Sequence, residues 1–234
     1  MDKILAIIPA RGGSKRILYK NIKNFCGQPI IKYSIDAALK SNIFDEIIVS
    51  TDDNQIANFA KNNNTHVPFL RSKKNSDDHA TLAEVILEVL FEYSNIGKNF
   101  DYFCCILPTA PFINTKKILD SFELLKNSKS DSVISVVRFS YPIQRALKIE
   151  NNCLKMIWPK NLNKRSQDLM PTYHDSGQFY WMKVEEFLKQ KTFFAKKTLA
   201  FELTENEVQD IDTIDDWKLA EIKYDFLKNK NFKN

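Results

Sequence analysis

The sequence predicts one α/β domain built on a doubly wound, mostly parallel sheet, and three observations carry that expectation. Short apolar runs at residues 4–8, 45–51, 102–107 and 132–137 alternate with stretches of helical spacing. A chain of 234 residues, 44% of them hydrophobic, is long enough to bury one large core. No repeat, low-complexity linker or shift of composition marks a second domain, so residues 1–234 are read as a single unit.

The elements follow in order. Ile4 to Ile8 reads as a fully buried strand. A helix over 29–39 begins at Pro29 and carries its apolar residues on one face. A second strand over 45–51 ends in Asp52-Asp53, and a helix spans 54–62. Residues 66–70 are expected to form a short strand near an edge, because Pro68 has no N–H for a ladder. Ser76 to Thr81 lead into a helix with Leu82, Val85, Ile86, Val89, Leu90 and Tyr93 on one side. The run 102–107 is the central strand, and Pro108 and Pro111 stiffen the turn that holds Thr109 beyond it.

A helix over 114–126 and a strand over 132–137 come next. From 138 to 172 the pattern changes to an excursion, in which strand-like pieces at 146–149 and 154–158 flank a hairpin turn at Glu150-Asn151-Asn152. Met156 and Trp158 would leave apolar area exposed there, which suits a partner surface. Residues 174–181 are an aromatic strand interrupted by Gly177, where a ligand or backbone can come close. Phe193 and Phe194, placed in a strand, would face opposite ways. The last helix carries Ile214, Trp217, Ala220, Tyr224 and Leu227 on its apolar face.

Composition narrows the function classes. No apolar run approaches the roughly 20 residues of a membrane span, and the N-terminus lacks a signal-peptide pattern; a cytoplasmic protein without membrane partners is expected. The four cysteines (Cys26, Cys104, Cys105, Cys153) form no C-x-x-C and are read as reduced packing residues. Net charge is +5, but the lysines are scattered among acids and cluster only in a solvated tail at 228–233. Nucleic acid is therefore not expected as a partner, whereas small anions are.

The chemistry concentrates after the first strand, in Ala10-Arg11-Gly12-Gly13-Ser14-Lys15-Arg16, continuing to Lys20-Asn21. Two of only five glycines stand side by side there, which permits close backbone approach and N–H groups aimed at one anion. Arg11, Lys15 and Lys20 add three cations, a set suited to a triphosphate with a leaving group to neutralise. The bland reading is a basic surface turn; the coincidence of glycines, cations and buried strand favours the triphosphate. Neither G-x-x-x-x-G-K-[ST] nor G-x-G-x-x-G is present, which disfavours a kinase-like ATPase and a nicotinamide oxidoreductase. Near the other end, Asp210-Ile211-Asp212 places two carboxylates on one face of an extended segment, within reach of one hard cation. Asp212 or Thr213 could equally cap the following helix.

These residues resemble a family. Ile8-Pro9-Ala10-Arg11-Gly12-Gly13-Ser14-Lys15 followed by Lys20-Asn21 is similar to the opening motif of the CMP-nonulosonate synthetases, cytidylyltransferases that activate sialic-acid-type sugars. The likeness runs from Ile7 to about Trp217. It implies a Rossmann-like fold of the nucleotide-diphospho-sugar transferase type, with 138–172 as a dimerisation excursion and a homodimer as the assembly. The implied reaction transfers CMP from CTP to the anomeric hydroxyl of an acidic nine-carbon sugar and releases pyrophosphate, with Mg2+ (or Mn2+) as cofactor.

Carried over residue by residue, the resemblance implies catalytic roles for Arg11, Lys15, Lys20 and Asp212, and metal binding by Asp210 and Asp212. It places Ala10, Gly12, Gly13, Ser14, Asn21, Arg71 and Thr81 at the nucleotide, and Thr109, Arg165, Gln178, Tyr180, Phe193 and Phe194 at the sugar. Leu107 stands where sialate-using members have Gln, and Asp175-Ser176-Gly177 where they have Asn-Gly, so the resemblance favours the pseudaminate-using branch. Leu18 and Tyr19 depart from that branch, which has a proline and a basic residue there. Another acidic sugar, or an idle nucleotide-binding module, are the alternatives.

Overall fold

Alternation along the first strand divides the interior into two cores. Ile4, Ala6 and Ile8 face one helical layer, while Leu5 and Ile7 face the other. The structure, a computed structural model, describes residues 2–231. In chain order it contains β1 (Ile4–Pro9), β2 (Asn24–Phe25), β3 (Gln28–Pro29), α1 (Ile31–Ser41), β4 (Glu46–Ser50), α2 (Asn54–Lys61), α3 (Leu82–Asn95) and β5 (Tyr102–Ile106). These are followed by α4 (Thr115–Lys126), β6 (Ser132–Arg138), β7 (Leu147–Glu150), β8 (Cys153–Met156), β9 (Tyr173–Lys183), α5 (Val184–Gln190), β10 (Thr198–Leu203) and α6 (Ile214–Asn231).

The main sheet has the order β10-β6-β9-β5-β1-β4. Every neighbouring pair is parallel except those of β9, which runs antiparallel to both β5 and β6. Ile31, Ile35, Ile56, Ile118 and Phe122 bring α1, α2 and α4 onto one face; Ile86, Val89, Tyr93 and Phe187 bring α3 and α5 onto the other. From β1 the chain passes to β4 on one side and later to β5 on the other. The carboxyl ends of β1 and β5 therefore flank a topological switch point, where open α/β sheets leave a crevice.

Some expectations need correction. Residues 66–70 form no strand; only a parallel bridge joins His66 to Ile48, since Pro68 cannot extend the ladder. Phe193 and Phe194 lie in an irregular stretch, although they do face apart: Phe193 is buried and Phe194 is 65% exposed. Ile214 is exposed, and the buried face of α6 starts at Trp217. The strand with Gly177 continues through it, with Gly177 at φ +62 and a register shift between Ile134 and Val136. Cys104 and Cys105 are buried and all four cysteines are free thiols. Part of the basic tail, residues 232–233, lies outside the described residues.

The excursion holds the hairpin β7–β8. Its turn residues, Asn151 and Asn152, have φ values of +50 and +57, the signs that a two-residue hairpin loop needs. The whole of β7 is exposed, and Leu147, Ile149, Leu154, Trp158 and Met170 present apolar surface.

Candidate active site

The crevice at the switch point is a cavity of about 310 Å3. Its walls include Arg11, Ser14, Lys15, Lys20 and Asn21 after β1, Leu107 and Thr109 after β5, and Arg71, which lies between α2 and α3 and bonds to Ser50 at the end of β4. Three sequence-distant strand ends thus meet because the sheet is parallel.

The loop after β1 is held tightly at its base. Ala10 is fully buried and its N–H donates to the Ser50 carbonyl at 2.9 Å. The buried Asn21 side chain donates to the Arg11 carbonyl at 2.9 Å. A Cβ at Gly12 would lie 2.7 Å from the Asp53 carboxylate, so close approach to the next loop requires glycine there. Gly12 donates its N–H to Asp52 at 3.0 Å, and Ser14 donates to the Gly12 carbonyl at 2.9 Å. Gly13 has open space around it. Tyr19, at φ +50, turns the chain into the short helical turn Lys20–Ile22 that carries the third cation.

The three cations meet carboxylates. Asp78 pairs with Arg11 at 3.0 Å and with Lys15 at 2.5 Å, while Arg11 also donates to the Asp77 carbonyl at 2.8 Å. The hydrogen bond from Lys15 holds the Asp78 carboxyl below its usual range, and Arg11 adds to this. Lys20 reaches the other way, donating to the Ile211 carbonyl at 2.6 Å and lying 3.5 Å from Asp212. Arg16 pairs with the same Asp212 oxygen at 2.9 Å.

The distant acidic segment comes here for a hydrophobic reason. Ile17 lies among the loop's cations and Ile211 lies between the two aspartates. Both are buried in one small cluster with Phe25, Ile30, Phe112, Trp217 and Ala220. Burying Ile17 and Ile211 together sets their charged neighbours side by side. The capping alternative resolves in favour of Thr213: its hydroxyl accepts the Asp216 N–H at 3.2 Å and donates to the Asp216 carboxylate at 2.8 Å. Asp212 is left free to face the cations. Burial and the neighbouring Asp212 charge raise the Asp210 carboxyl above its usual range. Two close carboxylates that repel one another form an oxygen-only donor set suited to a hard cation. Among the described residues no group of three His, Cys, Asp or Glu is placed to hold a metal. Further ligands would have to come from substrate phosphates and water, as is usual for magnesium.

The remaining expected residues divide. Arg71 is 8% exposed; its Nε donates to the Ser50 hydroxyl at 3.1 Å and its fork also reaches the Ser50 carbonyl. Burial lowers its pKa, countered by Asp52 and Glu88. Thr81 is the N-cap of α3, its hydroxyl engaged with Glu84 on both sides, while Ala80 and Leu82 line the cavity. Tyr180 is buried and donates to Asp175 at 2.6 Å; Phe193 packs on Tyr180, Phe103 and Phe187. Gln178 is also buried and donates to the Glu207 carbonyl, so it ties elements together instead of lining the cavity. Arg165 is in the excursion, paired with Asp168 at 2.8 Å. Arg16 and Asp78 were missed as site residues. Arg16 had a usable signal, its place inside the cationic stretch; Asp78 had only an acidic doublet far along the chain.

Comparison with known proteins agrees with this geometry. The family model described as cytidylyltransferase matches residues 5–232. The pseudaminic acid cytidylyltransferase of Campylobacter jejuni subsp. jejuni is 41% identical over 223 residues, covering 95% of this chain and 96% of that protein. The CMP-N,N'-diacetyllegionaminic acid synthase of Legionella pneumophila subsp. pneumophila is 33% identical over 221 residues, covering 94% and 95%. Among solved structures, a CMP:2-keto-3-deoxy-manno-octonic acid synthetase superposes with a TM-score of 0.67 at 15% identity, covering 97% of this chain and 99% of that one, a likeness of fold. The chain belongs to the cytidylyltransferase family and is a CTP-dependent nucleotidyltransferase.

Proposed function

We propose that the protein transfers CMP from CTP to the anomeric hydroxyl of a nonulosonic acid, with pseudaminic acid as the preferred substrate. The observation that carries this reading is the meeting of Lys20 and Arg16 with Asp212 beside the cavity at the ends of β1 and β5. Leu107, an apolar wall at the sugar side, and the Campylobacter relative support the choice of sugar. Arg11, Lys15 and Lys20 bind the phosphates and stabilise the charge that grows on departing pyrophosphate. The sugar's anomeric hydroxyl gives up its proton to solvent and its oxygen bonds to the α-phosphorus as the bond from that phosphorus to the bridging oxygen breaks, releasing pyrophosphate. Arg71, Gly12, Gly13, Ser14, Asn21 and Thr81 frame the nucleotide; Thr109, Tyr180 and Phe193 frame the sugar. Asp210 and Asp212 would hold Mg2+ or Mn2+, whose chemistry there is withdrawal of charge from the α-phosphate.

The assembly we propose is a homodimer joined through 138–172, where exposed Leu147, Ile149, Leu154 and Met170 need a partner surface. Arg165 would then act near the partner's site. Among the described residues no helix is long and apolar enough to cross a membrane; the location we propose, the cytoplasm, is where a soluble nucleotide substrate would be met. Phosphorus NMR of CTP, magnesium and a panel of sugar acids tests the reading. Pyrophosphate and a CMP-sugar should appear fastest with pseudaminate; CTP binding without turnover of any sugar acid would leave an idle nucleotide-binding module.

A further inference from the structure

The segment that carries Asp210 and Asp212 has an unusual support. From Thr204 to the start of α6 it belongs to no strand, so no ladder fixes it. Side chains from other elements hold its carbonyls instead. Lys20 donates to Ile211 at 2.6 Å, Lys223 of α6 donates to Val208 at 2.7 Å and to Glu205 at 3.2 Å, and Gln178 of β9 donates to Glu207.

The fourth support is charged. Lys117 of α4, 8% exposed, pairs with the Glu207 carboxylate at 3.0 Å and donates to the Phe112 carbonyl at 2.8 Å. Glu207 also closes a reciprocal cap with Thr204. Phe112 ends the stiff turn that carries Thr109. One buried ammonium thus joins the turn on the sugar side to the segment on the metal side. A buried lysine is expensive to desolvate and is a poor choice for packing alone, which points to a positional role.

We propose that Lys117 and Glu207 are positioning residues that set where Asp210 and Asp212 stand relative to the Thr109 turn, and so set metal affinity. This rests on the proposed metal-dependent reading of the site. The test uses Lys117→Met, Glu207→Gln and the double variant, with Lys223→Met as a milder probe of the same segment. Manganese is titrated into the protein–CTP complex without sugar acid and followed by water proton relaxation. CTP affinity in EDTA and the unfolding midpoint are measured alongside.

Removing an outer support of metal ligands typically weakens binding about 10-fold or more. Each single variant should raise half-saturating manganese by about that factor, and the double variant no further, with CTP affinity in EDTA unchanged. A lower unfolding midpoint with unchanged manganese affinity would reduce the pair to a structural role and overturn the proposal. If the buried-pair variants fail to fold, Lys223→Met decides: weaker manganese binding supports the brace, and wild-type affinity overturns it. Wild-type protein that binds no manganese beyond CTP alone would instead overturn the metal reading, and the brace with it.

Discussion

Asp78 sits on Arg11 and Lys15, the two cations proposed to bind the triphosphate, so on that reading the nucleotide displaces a carboxylate as it binds. Lys15 is 80% exposed and Asp78 is 43% exposed, and pairs in that setting are weak and salt-sensitive. Asp78→Asn should therefore lower half-saturating CTP only modestly, roughly two- to five-fold, with the effect shrinking at high salt. Titration calorimetry at two ionic strengths checks this, and weaker CTP binding would contradict it. The paired glycines make a second contrast. Gly12→Ala forces a Cβ against Asp53, which caps α2, and should destabilise the fold by about 1–3 kcal/mol. Gly13→Ala meets nothing within 4 Å and should leave the denaturation midpoint nearly unchanged. At this scale the cationic stretch was legible in the sequence because its signal is local. The partner of Lys15, 63 residues away, was not, since no short-range pattern couples an acidic doublet to a distant lysine.

At the scale of elements, Glu46 ties the start of β4 to its surroundings. It accepts from Tyr93 of α3 at 2.7 Å and from Lys98 at 2.8 Å, and its other contact is His66 at 3.1 Å. Burial alone would raise its pKa, but the bonds from Lys98, Tyr93 and His66 together hold it below the ordinary carboxylate value. A carboxyl depressed in the folded state contributes stability that is present above the unfolded pKa and is lost as pH falls through the folded one. Glu46→Gln should accordingly lower the melting temperature at pH 7, and the gap from wild type should close as pH drops below about 4. A gap that persists in acid would point to packing instead. Helices α1 to α4 and α6 and strands β1, β4, β5, β6 and β9 were readable from their patterns, whereas α5 and β10 were not; Asn114 and Asp53 cap α4 and α2. Residues 66–70 were misread because apolar content suggested a strand where Pro68 allows only one bridge. The Phe193-Phe194 stretch was misread because two aromatic residues carry a strand signal that the chain's turn overrides.

For the whole molecule, the sheet order turns separated stretches into one site. The strand–helix alternation announced a parallel sheet and therefore a site at its carboxyl edge. It did not announce that β9, though expected as a strand, enters antiparallel between β5 and β6, where Asp175 stands opposite Val136 and Tyr180 opposite Cys105. Nor did it announce the small cluster around Ile17 and Ile211, on which the convergence of cations and carboxylates depends. The proposed dimer face is also a whole-molecule matter. Ile149→Glu with Leu154→Glu should shift the protein from dimer to monomer in sedimentation velocity; an unchanged dimer would locate the interface elsewhere.

The central claim is that cations after β1 and aspartates before α6 act on one phosphate chain, and manganese broadening of the phosphorus signals of protein-bound CTP tests it most directly. Wild-type protein should show strong broadening of the α-phosphorus signal, and Asp212→Asn should lose most of it together with about 100-fold or more of its pyrophosphate release. Equal α-phosphorus broadening and equal turnover in Asp212→Asn would contradict the account.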